Sequence, residues 1–534
     1  MQTMAQINPT TVAVTIPMLI CFFALMIGVG VSCRKHATNV NSFVLGGRSV
    51  GPWVTAFSFG TSYFSAVIFV GYAGQFGWNF GLASTWIGLG NAFIGSLLAW
   101  IVLGRRTRVM TQHLDSSTMP NFFEKRYDST ALKIIASLIV FVFLIPYTAS
   151  LYNGLSSLFN NVFAIPYWVI VVGMAVLTGL YVIFGGYMAA SINDFIQGII
   201  MLVGIITVIA SVLNQNGGLM KAVETLGVKA GTEYTTMLGP DPLALFFVVM
   251  LTSLGTWGLP QMIGKFYAIK NEDSIKKGTL ISTIFAIVVA GGCYFLGGFG
   301  RLYADKLEAA GYLSENGAVL FDKIVPTMLS ELAPVVIGLT IVLVLSASMS
   351  TLSSLVLTSS STLTLDVIKP RISRKKKIDD KKTVLIMRIF IVFFIVVSAV
   401  IAILKDTIWS DSVFIAQMMG VSWGALAGSF FAPFLYGLYW KKTTQAGVVA
   451  SFIWGTGLEI VQLLIGVGLF SVEGTFLEIV FRNSLHSGVF AIMGSLILVP
   501  IVSLFTKKTL PRNIKAKFAC YDEQVVTTKN DSLG

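Results

Sequence analysis

The side chains most able to bind a ligand form a dense run of hydroxyls between Ser346 and Thr362. Five residues of this run recur at helical spacing and therefore share one helical face: Ala347, Ser350, Thr351, Ser354 and Thr358. Hydroxyl and carbonyl oxygens are the ligands that hard cations prefer. Small residues of this kind also allow helices to pack closely. The run therefore predicts either a cation site or a tightly packed helix.

Two apolar segments are interrupted by residues that break helices. The first interruption covers 59–66 and contains Gly60, and the second covers 255–261 and contains Pro260. Gly lowers helix stability, and Pro removes a backbone hydrogen bond. In a membrane, freed backbone groups are tolerated only where they face protein or a watery cavity. The pair of interruptions favours inverted repeats around a central site, and ordinary kinks are the alternative.

A carboxylate, Asp194, lies near the cytoplasmic start of the apolar run 187–213, the sixth of the chain. An acid inside a membrane is costly and indicates a function, although Asp194 could instead cap its helix. No Lys or Arg of a neighbouring span is an evident partner. We therefore expect a bound cation to balance the charge of Asp194.

The composition places these residues in a membrane protein. Only 12% of the 534 residues are charged, against about 25% in soluble domains, and the mean hydropathy is +0.80. Thirteen apolar runs are each long enough to predict a transmembrane helix. The runs cover 11–32, 52–76, 79–104, 132–157, 166–185, 187–213, 243–268, 278–300, 335–368, 383–404, 412–440, 444–469 and 486–506.

Charge predicts the orientation and excludes several functions. Most of the 37 Lys and Arg residues lie in connections on one side, among them 105–108, 265–277 and 371–382. Such residues stay in the cytoplasm, so we expect the N-terminus outside and the C-terminus inside. No nucleotide-binding motif is present, and neither the four Cys nor the three His have metal-ligand spacing. We expect contact with membrane lipid, and no nucleotide or nucleic acid partner.

Several short motifs, taken in order, resemble those of the sodium/solute symporter family. They are SFVLGGR at 42–48, Ser65-Ala66 with Val70-Gly71, MPNFFEKRY at 119–127, GGYMA at 185–189 with Asp194 and Gln197, PQ at 260–261 with KFYAIK at 265–270, Ser350-Thr351 through Leu365-Asp366, and Pro433 with GLYWKK at 437–442. The resemblance extends from about Ser42 to Gly447. The segment 260–270 is most similar to the sodium/proline symporters.

The resemblance implies an all-α, leucine-transporter-type fold in one transmembrane domain. Its parts are a leading helix at 11–32, a first five-helix inverted repeat at 52–213, a second inverted repeat at 243–440, two additional helices at 444–506, and a cytoplasmic tail at 507–534. The implied function is sodium-coupled symport of a small organic solute into the cell by alternating access. The implied location is the cell membrane, with sodium (Na+) as the coupling ion.

The family also implies which residues bind sodium. The first sodium is expected at Thr61, Phe64, Ala347, Ser350 and Thr351. A second sodium, as in the sodium/sialic acid symporters, is expected at Asp194, Ser353 and Ser354, sharing Ser350.

The sequence restricts the solute mainly at positions where this chain differs from family members of known substrate. Sodium/proline symporters carry an acid and two aromatic residues where this chain has Tyr63, Thr252 and Thr256. Sugar symporters of the family carry polar and acidic residues that are absent here, at Val67, Ile68 and Gly88. The expected cavity lining is Tyr63, Ser65, Asn91, Tyr147, Thr256, Trp257, Gln261 and Gln417. This lining suits a small polar or zwitterionic organic solute.

Other functions remain open at this point. A transporter-like receptor would bind the solute and signal through a partner, and a proton-coupled symporter would use a different ion. A membrane-embedded enzyme would need a nucleophile, a base or a metal cluster, and the spans offer no such set, so we expect no enzymatic activity. Solute uptake that sodium stimulates would distinguish a sodium-coupled symporter from a receptor, a proton-coupled symporter or an enzyme.

Overall fold

The regular secondary structure of the described residues consists of helices. This computed structural model describes residues 9–163, 165–313, 319–373, 378–408, 414–466 and 468–521. Extended pairing within these ranges is limited to two isolated bridges, Val50 with Ile269 and Leu313 with Val319. The expected all-α class is confirmed.

The helices follow the apolar runs of the sequence. The longer α-helices are Pro9–Ser32, Pro52–Tyr63, Thr130–Phe163, Tyr167–Gln215, Leu219–Ala230, Pro242–Leu254, Glu272–Ala286, Pro334–Thr362, Asp380–Ile408, Phe414–Tyr439, Gln445–Gly466 and Ser484–Phe505. The shorter ones are Val40–Leu45, Ala73–Phe80, Thr85–Gly90, Arg105–His113, Met119–Tyr127, Pro260–Ala268, Gly292–Gly297, Ala304–Ala309, Phe321–Leu329, Lys369–Ser373, Glu478–Phe481 and Ile514–Phe518. Wider π-helical turns join several of them, at Val67–Tyr72, Asn91–Leu98, Trp100–Gly104, Ile287–Gly291 and Leu363–Ile368.

Ten helices of the described ranges are long and apolar enough to cross a membrane, or eleven if one bent pair counts as a span. Two of them, Val67–His113 and Tyr167–Gln215, are 47 and 49 residues long. At 1.5 Å per residue each would measure about 70 Å, more than twice the roughly 30 Å of a hydrocarbon core. Each contains one glycine in a non-helical conformation, Gly81 (φ +59°, ψ −139°) and Gly186 (φ +56°, ψ −145°).

Both predicted helix interruptions are confirmed. In the first broken span (residues 52–80) the helix ends at Tyr63, and Phe64 is extended at φ −81° and ψ 115°. In the second broken span (residues 242–268) Leu259 adopts nearly the same angles, φ −80° and ψ 119°. The two halves of the second broken span meet at 48°. The backbone therefore opens in the same way at two distant places in the chain.

The helix Pro334–Thr362, here called the hydroxyl helix, lies at the centre of the molecule. Its residues 340–357 are all buried, and it packs against Pro9–Ser32, Thr130–Phe163, Tyr167–Gln215 and Pro52–Tyr63. In contrast, Asp380–Ile408 leaves large apolar side chains exposed: Ile389, Val392, Phe393, Val396 and Val400. An uncovered apolar face of this size fits contact with lipid.

Residues of the quoted motifs contact one another across the fold. Arg126 Nε donates to the Gly437 carbonyl at 2.8 Å, and the Tyr127 hydroxyl donates to the Pro433 carbonyl at 2.6 Å. Motifs more than 300 residues apart in the sequence therefore meet, which explains why they occur together.

Gly186→Ala should destabilise the folded protein, because an added β-carbon would lie 2.9 Å from the Phe43 carbonyl oxygen at a positive φ. Strain of this kind costs roughly 1–3 kcal/mol, which a lower melting temperature in detergent would report. Gly173→Ala, in the same helix, meets nothing within 4 Å and should melt no lower than the parent protein, because Ala favours a helix over Gly. Equal melting of the two variants would contradict this account.

Candidate sodium and solute site

The break in the first broken span faces two hydroxyls of the hydroxyl helix. Ser350 Oγ lies 3.2 Å from the Thr61 carbonyl oxygen and 3.1 Å from that of Ala347. Thr351 Oγ1 lies 3.1 Å from the Thr61 oxygen, 3.2 Å from that of Phe64 and 3.1 Å from that of Ala347. The structure therefore brings together all five residues predicted for the first sodium.

The chemistry of this oxygen cluster suits a monovalent hard cation. Three carbonyls and two hydroxyls present neutral oxygens, and all five residues are buried. In an unbroken helix the Thr61 carbonyl would accept the amide of residue 65, whereas the extended Phe64 leaves it directed at the hydroxyl helix. Each hydroxyl can turn its hydrogen away and offer a lone pair to an ion.

A second polar cluster surrounds Asp194, and here one expectation from the sequence is wrong. Asp194 Oδ2 accepts a hydrogen bond from Ser58 and lies 3.5 Å from the ammonium of Lys265. Lys265 Nζ also donates to Ser58 Oγ at 2.7 Å and to Ser354 Oγ at 3.0 Å. Asp194 therefore has a basic partner, contrary to the expectation that no Lys or Arg of a span would pair with it.

The sequence failed to identify Lys265 because it stands at the edge of an apolar run. The sequence predicts that Lys265 belongs to the cytoplasmic connection 265–277, whereas Pro260–Ala268 is helical and Lys265 is only 3% exposed. Buried charges in proteins are normally paired, so the presence of Asp194 in a span indicates that a basic residue at the end of another span turns inward. Removing one residue from the basic side leaves the predicted orientation unchanged.

Of the other residues predicted for the second sodium, Ser354 contacts the cluster around Lys265, whereas Ser353 forms a hydrogen bond within its own helix. Ser354 Oγ contacts Lys265 and lies 2.8 Å from Ser62 Oγ. Ser353 Oγ instead donates to the Ser350 carbonyl at 2.9 Å.

Three of the predicted solute residues line one small cavity between the two breaks. Tyr63, Asn91 and Thr256 surround a volume of about 10 Å³, hardly room for one water. Thr256 Oγ1 donates to the Gly95 carbonyl at 3.1 Å, and Ser253 Oγ lies 3.3 Å from Asn91 Oδ1. A solute can enter here only when the surrounding helices separate.

The other predicted solute residues have different surroundings. Trp257 donates its indole hydrogen to the Ile94 carbonyl at 3.0 Å, so its polar atom serves helix packing. Gln261 lines a separate cavity of about 50 Å³, and Ser65 is fully buried at the first break. The side chain of Gln417 lies outside the described part of the structure.

An aromatic residue that the sequence did not point to joins two of the predicted ones. Trp423 has its ring centroid 6.3 Å from that of Tyr63 and 6.0 Å from that of Tyr147, the latter edge to face. These aromatic side chains form an apolar wall beside the small polar cavity. No spacing in the sequence connects position 423 with the first break, so the fold alone reveals this contact.

Comparison with known proteins decides the family. The sequence matches the sodium:solute symporter family over residues 43–455. The chain belongs to this family. It is 32% identical over 459 residues to a sodium/proline symporter of Staphylococcus aureus (strain JH9), covering 84% of this chain and 85% of the relative. It is a sodium-coupled symporter and a multi-pass protein of the cell membrane.

Solved structures show the same fold at much lower identity. A Na+-coupled sialic acid symporter in a substrate-bound outward-open state matches with a TM-score of 0.72 at 16% identity, covering 94% of this chain and 98% of the other. A manganese transporter of Eremococcus coleocola matches with a TM-score of 0.51 at 12% identity, over 86% and 94%. These structures confirm the expected transporter fold, and the family match confirms the expected sodium coupling.

Sodium should stabilise the purified symporter, because an ion that binds only the folded state shifts the unfolding equilibrium. At sodium concentrations about 100 times the dissociation constant the gain is about 2.7 kcal/mol. The melting temperature should therefore rise in sodium chloride relative to potassium chloride at equal ionic strength. Identical melting in both salts over a wide concentration range would contradict sodium binding to the folded protein.

Proposed function

We propose that this symporter imports a small polar or zwitterionic organic solute by alternating access, driven by sodium bound at Thr61, Phe64, Ala347, Ser350 and Thr351. The observation that carries the proposal is the set of contacts of 3.1–3.2 Å between the two hydroxyls and the Thr61 and Phe64 carbonyl oxygens at the break. A cation there would join the first broken span to the hydroxyl helix. Sodium binding and helix arrangement would then be coupled, as symport requires.

We further propose thirteen membrane spans arranged as a leading helix, two inverted repeats of five at 52–213 and 243–440, and two further helices. The non-helical glycines Gly81 and Gly186 would divide the two longest helices into separate spans, and each broken span would count once. The matching torsion angles of Phe64 and Leu259 support equivalent places in the two repeats. The basic connections support an outer N-terminus and a cytoplasmic C-terminus.

The proposal for the solute names a chemical class, a small polar or zwitterionic organic compound. The relatives named sodium/proline symporters make proline the first compound to test. The lining of Tyr63, Asn91 and Thr256 supplies hydroxyl and amide groups without a side-chain charge. Half-helix ends at the two breaks direct backbone dipoles towards this region, and such ends hold the charged groups of a zwitterion.

The sodium assignment is tested by replacing both hydroxyls, Ser350→Ala with Thr351→Ala, and measuring uptake into proteoliposomes with an inward sodium gradient. A hydrogen-bond-type contact to a charge contributes about 1.5–3 kcal/mol. Losing two such ligands should raise the sodium concentration for half-maximal uptake by more than roughly tenfold. A panel of amino acids, monocarboxylates, sugars and vitamins identifies the solute first.

Ser360→Ala is the matched control, because Ser360 is buried in the same helix and donates to the Leu357 carbonyl of its own helix at 3.2 Å. Its sodium titration should equal that of the parent protein. An unchanged titration in the double variant would overturn the sodium site. Uptake that follows a proton gradient with sodium absent would favour the proton-coupled alternative, and binding without any uptake would favour a receptor.

Thr256→Leu should block uptake, because the larger side chain fills the small cavity that Thr256 lines between the breaks. Misplacing a bound solute by about 1 Å can cost about a hundredfold in rate, so we expect a loss of that order. Thr256→Val removes the hydroxyl at nearly constant volume and separates hydrogen bonding from filling. Sodium-dependent stabilisation should persist in both variants, and parental uptake by Thr256→Leu would place the solute elsewhere.

A further inference from the structure

The ammonium of Lys265, on the second broken span, lies between a serine of the first broken span, a serine of the hydroxyl helix and a carboxylate of the helix Tyr167–Gln215. Its neighbours are Ser58 Oγ at 2.7 Å, Ser354 Oγ at 3.0 Å and Asp194 Oδ2 at 3.5 Å. The ring of Tyr187 lies beneath it, with its centroid 5.3 Å from the nitrogen. Lys265 is 3% exposed and Asp194 is fully buried. The ammonium is thus held by oxygens and an aromatic face, the surroundings of a bound cation.

This position is related to the proposed sodium site by one helical turn. Ser58 precedes Thr61 by three residues in the first broken span, and Ser354 follows Thr351 by three residues in the hydroxyl helix. Residues three apart lie about one turn apart along a helix. The same pair of helices therefore presents oxygens at two successive levels. The first level has the five oxygens proposed for sodium, and the second level has the lysine.

The second level coincides with the site expected for a second sodium. Asp194 and Ser354 are two of the four residues predicted for that ion, and both face the Lys265 nitrogen. An ammonium and a sodium ion carry the same charge and take the same oxygen neighbours. One buried carboxylate balances one positive charge, so a second cation beside the ammonium would be buried without a counter-charge.

We propose that Lys265 is a tethered cation that takes the place of the second sodium, so that this symporter binds one sodium ion per transport cycle. The inference rests on the proposed function, because it counts ions relative to the first sodium site. Unlike a free ion, the lysine remains with the protein after solute release. The gradient of a single sodium ion then drives each solute.

The space around the ammonium allows the lysine to be exchanged for an ion. Lys265, Ser354, Tyr187 and Gln261 border the cavity of about 50 Å³. Asp194 Oδ1 has no hydrogen-bond partner within the described residues. If the side chain is shortened, a sodium ion with water can therefore reach the vacated oxygens.

The experiment counts radioactive sodium bound to the purified full-length protein at saturation. The parent protein should bind about one ion per chain, and Lys265→Ala should bind about two. Because cooperative binding needs interacting sites, the Hill coefficient for sodium should rise from about one to above one. Lys265→Arg keeps the charge and should stay at about one. Lys133→Ala, which disrupts a different, partly buried ion pair with Glu124, should also stay at about one.

Removing Lys265 alone leaves the buried Asp194 carboxylate without a partner and can destabilise the protein. A second variant therefore replaces both residues with neutral ones. Lys265→Met with Asp194→Asn removes both charges and should bind about one ion, which shows that the extra ion of Lys265→Ala needs the carboxylate. A parent protein that binds about two ions, or a monodisperse Lys265→Ala protein that gains none, overturns the proposal. Failure of the first site is seen separately, as an unchanged count after Ser350→Ala with Thr351→Ala.

Discussion

A helix that breaks inside a membrane must find new partners for its backbone oxygens, because hydrocarbon offers none. In this symporter the partners are two hydroxyls, Ser350 and Thr351, which face the carbonyls released by the extended Phe64. The hydroxyl helix can reach them only because its small side chains allow close packing. This requirement explains why the helix is central and buried along its length. The same oxygens then become available to an ion.

A buried charge likewise needs a partner, and Asp194 and Lys265 are partners for each other. Breaking a buried ion pair by removing one partner is strongly destabilising, by about 3–5 kcal/mol. Because Ser58 and Ser354 share the hydrogen bonds of this pair, both broken spans and the hydroxyl helix are tied at one place. The polar centre is thus a continuous network in which backbone breaks and buried charges satisfy each other.

Much of the architecture could be predicted because it depends on local residue types. The Gly and Pro residues indicated both breaks, the spacing of hydroxyls indicated the buried face, and the positive-φ Gly186 falls between two predicted runs. The family resemblance supplied the first sodium residues, and the structure brings all five together.

What could not be predicted depends on contacts between distant residues. Lys265 lies 71 residues from Asp194 and 207 from Ser58, and nothing local distinguishes it from the basic residues of the following connection. Whether a lysine at the end of an apolar run turns inward is decided by the partner that the fold provides. Trp423 beside Tyr63 and Tyr147 is a similar case, because a single aromatic residue has no periodicity to reveal it.

The bridge between Val50 and Ile269 has a mechanical consequence. The Val50 amide donates to the Ala268 carbonyl at 3.2 Å, and the Lys270 amide donates to the Val50 carbonyl at 3.0 Å. These two bonds fasten the beginning of the first broken span to the end of the second. At this end, neither span can move away from the other without breaking these two bonds. Since the fastening is made by backbone atoms, its stiffness is insensitive to which side chains occupy these positions.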